Sequence, residues 1–159
     1  MIERDIAPSG PCFLTHTETL DHRTSDALQF IDITDDVVDA VNRSQVISGI
    51  ATAFSRHTTA AIKINECEPE LIKDMQRFLA EIAPMEREYY HNNFDVRTVN
   101  MEEDECPNAH AHCQHIVLSS SETVPVINGR LHLGRWQRVF LIELDRAKAR
   151  QVTVQIIGV

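Results

Sequence analysis

Asn128-Gly129, set between Val124-Pro125-Val126-Ile127 and Arg130-Leu131-His132-Leu133, narrows the fold more than any other feature of the chain. A two-residue Asn-Gly link between apolar runs favours a type I′ turn. Positive φ at both turn residues matches the right-handed twist of paired antiparallel strands. The flanking sequence is strand-like too. Residues 115–121, 123–127, 136–144 and 151–157 read as extended, the last two as another antiparallel pair. A final third built almost wholly of strands excludes an alternating βα order and a doubly wound sheet.

The first two-thirds supplies more strands and two helices. Threonine-rich residues 13–20 alternate as a strand does, and 28–33, 46–54 and 58–64 read the same way. Thr34-Asp35-Asp36 is a helix start, with Thr34 as cap, acids suited to the positive dipole end, and an apolar stripe of Val37, Val38 and Val41. The clearest helix begins at Pro69. Leu71, Ile72, Met75, Phe78, Leu79 and Ile82 recur at helical spacing, and Pro84 stops them. Residues 92–107 are polar, acidic and aperiodic, a loop long enough to suggest a function. The expectation is an α+β chain, a mainly antiparallel β-sandwich with two helices. It forms one domain over residues 1–159, led in by coil over residues 1–12.

Composition excludes several roles. Among 159 residues, 43% are hydrophobic and 25% charged, as in ordinary globular domains. A net charge of −9 with no basic patch opposes binding to phosphate backbones or anionic lipid, so neither nucleic acid nor a membrane is expected as partner. No apolar run reaches membrane-span length and no secretory signal opens the chain, which reads as cytoplasmic. In a reducing compartment Cys12, Cys67, Cys106 and Cys113 are expected as free thiols, since none has CxxC spacing. Cys113 lies within a histidine cluster and is a weaker candidate ligand.

The histidines carry the chemistry. There are eight, and His110, His112 and His115 fall within six residues. On the expected strand His110 and His112 share a face, the spacing with which two imidazoles converge on one metal. His57 opens the segment His57-Thr58-Thr59-Ala60, and His91 follows Tyr89-Tyr90. His16, His22 and His132 read as structural. Glu66, in Asn65-Glu66, is placed as a general base or metal ligand before the clearest helix, the plain alternative being a helix cap. Hydroxyls of Thr58, Thr59 and the Ser119–Ser121 run, with Arg135, offer phosphate contacts.

Together the ordered motifs resemble the YjbQ-like family. They are Phe54-Ser55-Arg56-His57-Thr58-Thr59-Ala60-Ala61, Ile64-Asn65-Glu66, Tyr90-His91, Asn108-Ala109-His110-Ala111-His112, Val124-Pro125-Val126, Gly129-Arg130, Gly134-Arg135-Trp136-Gln137, Glu143 and the closing Val154-Gln155-Ile156-Ile157-Gly158. The resemblance implies a homotrimer with weak thiamine-phosphate synthase activity, and its pattern falls on His57, Asn65, Glu66, His91 and His112. The chain departs from it at His110, where many members have Asp. It departs also at Arg135, and at Leu118-Ser119-Ser120-Ser121, where the pattern is Leu-Gly-x-Ser.

Three functions follow. One is synthesis of thiamine phosphate by joining an activated pyrimidine to a thiazole phosphate. A second is a transition-metal-dependent hydrolase or lyase on a small phosphorylated metabolite. The third is a non-catalytic trimer that binds a metal or metabolite. Diphosphate chemistry ordinarily uses Mg²⁺ on carboxylates, whereas a histidine-rich set suits a divalent transition metal, zinc first. The expected ligands are His57, His91 and His112 with His110 beside them. Asn65 and Glu66 are the expected catalytic residues, and Thr58, Thr59, Ser121 and Arg135 the expected phosphate contacts.

Overall fold

The structure, a computed structural model, describes residues 12–159; the expected leading coil lies outside them except for Cys12. The strands are β1 (Leu14–Arg23), β2 (Phe30–Asp32), β3 (Ser48–Ser55), β4 (Ala60–Glu66), β5 (Ser121–Ile127), β6 (Arg130–Leu131), β7 (Gln137–Glu143) and β8 (Ala149–Gly158). The helices are α1 (Thr34–Ser44), α2 (Pro69–Ile82) and α3 (Ala109–Leu118), with a 3-10 turn at Tyr90–Asn92. One antiparallel sheet runs β1-β8-β3-β5-β6 and the other β2-β7-β4. Their facing surfaces form the main core, in which Ala51, Val154 and Ile156 of the larger sheet meet Ile62, Val139 and Leu141 of the smaller, with Val37 and Val41 of α1. The far face of the smaller sheet packs Ala61, Phe140 and Ile142 against Leu79 of α2 and Ala111 of α3.

Local signals explain most elements. Asn128 and Gly129 have φ of 53° and 72°, and the turn joins β5 to β6 through the pair Ile127↔Arg130. Pro69 occupies the first turn of α2, where its missing N–H costs nothing. The Glu68 side chain caps this helix, accepting from the Glu70 and Leu71 amides at 2.9 and 2.7 Å, so Asn65-Glu66 is not the cap. At α1 the Asp32 carboxylate accepts the Thr34 amide at 3.0 Å, and the Thr34 hydroxyl instead accepts the Val139 amide at 2.7 Å.

Three expectations are corrected. Residues 136–144 and 151–157 do not pair: β7 lies between β2 and β4, and β8 between β1 and β3, in different sheets. With a neighbour on each side, β7 has no edge left for β8. Five consecutive residues, Val139–Glu143, are buried on both faces, as befits the middle strand of three. There are three α-helices among the described residues rather than two. The third, α3, replaces the strand expected over 115–121 and places His110 and His112 on opposite sides, because residues two apart on a helix are about 200° apart.

The sequence Ala109-His110-Ala111-His112 mimics a period of two, yet packing favours the helix. Ala109, Ala111 and Gln114 are good helix formers, and the buried Gln114 amide donates to the Leu79 and Ala83 carbonyls at the end of α2 at 3.0 and 3.2 Å. The helix ends at Ser119 with φ 85° and ψ 163°, a conformation suited to glycine.

Candidate functional site

The corner between β3 and β4, Arg56 to Thr59, is positioned from behind by a buried ion pair. Glu143, at the end of β7, is fully buried, and Arg150, near the start of β8, is 3% exposed. Arg150 Nε donates to Glu143 at 2.6 Å and Nη2 donates to it as well, while Nη2 also reaches Thr59 Oγ1 at 3.1 Å. The Glu143 carboxylate further accepts the Thr24 hydroxyl at 2.8 Å and the amides of Leu144 and Asp145 at 3.1 and 2.9 Å. Such a pair, saturated with hydrogen bonds, is the form in which two charges can be buried together.

In front of it opens a cleft of about 640 Å³. Its lining is drawn from His57, Thr58 and Thr59 at the corner, His112 of α3, His91 of the 3-10 turn, and the 97–106 segment, which brings Glu102, Asp104 and Glu105. The His91 and His112 rings lie edge to face, with centroids 4.9 Å apart. The Asn92 side chain just beyond accepts the Ala109 amide at 3.1 Å and ties the turn to the start of α3. Burial pushes the His112 imidazole below its ordinary range, and nearby His91 pushes it the same way. Burial likewise lowers His57, with Arg150 adding to the effect. Both imidazoles are therefore neutral near pH 7. Two buried atoms lining the cleft, His91 Nε2 and Asn108 Oδ1, have no hydrogen-bond partner within the described chain.

Five cationic side chains also line the cleft: Arg56, Arg97, Arg146, Lys148 and Arg150. The last four have carboxylate partners. Arg150 pairs with Glu143, Lys148 with Asp145, Arg97 with Glu105 at 3.1 Å and Arg146 with Asp104 at 3.8 Å. The side chain of Arg56 meets only the Gln151 amide oxygen, at 3.2 Å. Among the described residues it is the one cleft cation without a counter-ion.

A family model described as UPF0047 protein YjbQ-like matches residues 18–159. The chain belongs to the YjbQ-like UPF0047 family. A UPF0047 protein of Methanothermobacter thermautotrophicus is 38% identical over 143 residues, covering 90% of this chain and 92% of the relative. The UPF0047 protein YugU of Bacillus subtilis is 34% identical over 142 residues, 89% of this chain and 98% of its own. The crystal structure of a YbjQ-like protein of unknown function from Sulfolobus solfataricus matches with a TM-score of 0.84 at 33% identity, over 93% of this chain and 100% of that one.

Within this UPF0047 chain the structure brings His57, Thr58, Thr59, His91 and His112 to one cleft and leaves the other expected site residues elsewhere. His110 is buried on the inner side of α3, with no hydrogen-bond partner for either ring nitrogen among the described residues. Asn65 and Glu66 stand at the far end of β4, roughly 20 Å along the strand from Ala60 at about 3.3 Å per residue. There Asn65 donates to the Met75 sulfur at 3.2 Å. Ser121 begins β5 beside a hollow on the outer face of the larger sheet, and the Arg135 guanidinium lies 4.5 Å over the Trp136 ring. The sequence reading missed the five cations. Arg146, Lys148 and Arg150 recur at every second residue, but the chain bends at residues 145–147, so that spacing alone does not place them together.

No group of three His, Cys, Asp or Glu side chains among the described residues is arranged to hold an ion. The Gln151 amide donates to His57 Nε2 at 2.8 Å. That bond uses the Nε2 lone pair and leaves the proton of the neutral ring on Nδ1. His57 must give up this bond to ligate. All four cysteines are free thiols. No described helix is long and apolar enough to cross a membrane.

Proposed function

We propose that the cleft binds a small phosphorylated molecule and that His112, beside His91, moves a proton on it. The observation that carries this reading is Arg56, without a counter-ion among the described residues, in one cleft with three imidazoles and four carboxylate-paired cations, on a chain whose net charge is −9. On so acidic a molecule, a guanidinium without a counter-ion is a place to which an anion is drawn. A neutral imidazole accepts a proton near pH 7, and such assistance is worth about 10² to 10⁴ in rate. The reaction that the family resemblance points to is synthesis of thiamine phosphate from an activated pyrimidine and a thiazole phosphate. His112→Ala should lower the rate of thiamine-phosphate formation by about 10² or more while leaving the melting temperature within a few degrees. Formation at the wild-type rate in that variant overturns the role of His112. Ligand binding without any turnover favours the non-catalytic reading.

A second reading, a divalent transition metal such as zinc serving a hydrolase or lyase on the same ligand class, is favoured by the orphaned Nε2 of His91 beside His112. Two imidazoles fall short of the three protein ligands usual at catalytic zinc. A further ligand then has to come from outside the pair. Elemental analysis of untagged protein decides this reading.

Assembly as a homotrimer is supported by the outer face of the larger sheet. Ile50, Phe54 and Ile127 are 39, 44 and 46% exposed there, and the Thr52 and Thr123 hydroxyls bond across the strands at 2.9 Å. Light scattering separates a trimer from a single chain.

A further inference from the structure

We propose that Arg56 and His57, at the β3–β4 corner, form the phosphoryl subsite of the cleft, with Arg56 supplying the charge and His57 a fixed Nδ1–H donor rather than a metal bond. The inference rests on the reading that the cleft takes a phosphorylated ligand, and it says where the phosphoryl group goes. Four of the cleft's five cations are already paired with carboxylates, which offset the charge they would offer an arriving anion. Arg56 has no such partner among the described residues. Its only side-chain partner in the described chain is the neutral amide of Gln151, and Arg56 stands where the cleft meets the hollow beside Ser121, with most of its five donors left for a ligand. A guanidinium offers phosphate a two-pronged contact that an ammonium does not.

Gln151 also determines what His57 can do. Its amide N–H donates to His57 Nε2 at 2.8 Å, and its carbonyl accepts the Arg56 amide at 3.4 Å. The two residues are thereby held against β8 through main chain. With Nε2 accepting, the ring proton resides on Nδ1, which is bonded to nothing in the described chain and is not among its buried unpartnered atoms. Nδ1–H is therefore within reach of solvent and, on a residue that lines the cleft, available as a donor. Thr58, exposed on the same corner, adds a hydroxyl. One guanidinium, one imidazole N–H and one hydroxyl suit the oxygens of a terminal phosphate or diphosphate. His91 and His112, which line the same cleft, remain for proton transfer.

The test is calorimetric titration of the full chain with inorganic pyrophosphate, together with long-range proton–nitrogen spectroscopy of the His57 ring. Wild-type protein should bind pyrophosphate. Arg56→Gln should weaken binding about tenfold or more, with Arg56→Lys in between because it keeps the charge and loses the fork. Arg135→Gln, away from the cleft, should bind as wild type does. The His57 ring should show Nε2 unprotonated, and one equivalent of Zn²⁺ should leave it so. If wild type binds and Arg56→Gln binds equally, this inference falls and the phosphorylated-ligand reading stands. If wild type does not bind pyrophosphate, both fall. A proton on Nε2, or Zn²⁺ shifting the His57 nitrogens, overturns the donor assignment.

Discussion

At its N-terminal end β4 follows a corner, Arg56 to Thr59, that opens on a charged cleft and is held from behind by the Glu143–Arg150 pair. At its C-terminal end the same strand carries Asn65 and Glu66 past the cleft, with Asn65 exposed and bonded to a thioether. In the sequence these two stretches form one motif, His57-Thr58-Thr59 followed closely by Asn65-Glu66. The strand conformation separates them, because each residue advances about 3.3 Å and nothing folds the segment back. A motif written along a strand serves two places on one chain, or one place built from two chains. The same spacing on a helix would have brought its ends closer, at about 1.5 Å per residue.

The largest expected difference between the two ends is in stability. Glu143→Ala leaves the Arg150 charge buried without a counter-ion and releases the Thr24 hydroxyl, so it should cost about 3–5 kcal/mol, measured by urea denaturation. A cost below about 1 kcal/mol would mean that the corner is held by other contacts.

Acidification should produce an intermediate effect, partly at the cleft end. Burial lowers His57, His110 and His112, and His115 further along α3, below the ordinary 6.5. Between 6.5 and those lowered values the unfolded chain binds more protons than the folded one. Stability therefore rises with pH through this window and is lost as pH falls through it. Carboxylates act lower down: Arg43 beside Glu18 holds that side chain down to about 2, so its contribution fades only below the ordinary carboxylate range. The melting temperature should fall between pH 7.5 and pH 5, and a flat profile over that range breaks the assignment.

The smallest effect belongs to the far end. Glu66→Gln should change stability by no more than about 0.5 kcal/mol and leave pyrophosphate affinity unaltered, read by the same denaturation and titration. Loss of turnover in that variant, with binding intact, would instead show that Glu66 of one chain reaches the cleft of another.

The sequence was legible wherever structure is local. Asn128-Gly129 announced its turn, Pro69 and the apolar stripe announced α2, and alternation announced most strands, since each signal is complete within a dozen residues. The segment 109–118 was not legible. Its alternating alanines and histidines match a strand's period, and the contacts that make it a helix, Gln114 to the end of α2 and Ala111 to the smaller sheet, come from distant parts of the chain. Strand partners were hidden for the same reason: nothing within 136–144 or 151–157 says that β7 and β8 lie in different sheets.

For the candidate site, the sequence alone determined which chemistry was on offer: imidazoles at His57, His91 and His112 and hydroxyls at Thr58 and Thr59, at places where elements begin or end. Only the tertiary structure decided which of them meet. It turned His110 inward because a helix puts residues two apart on opposite sides, and it left Glu66 a strand's length away. It brought Arg97, Arg146, Lys148 and Arg150 into the cleft with their own carboxylates and Arg56 without one, because ion pairing depends on distances that folding sets and sequence separation does not.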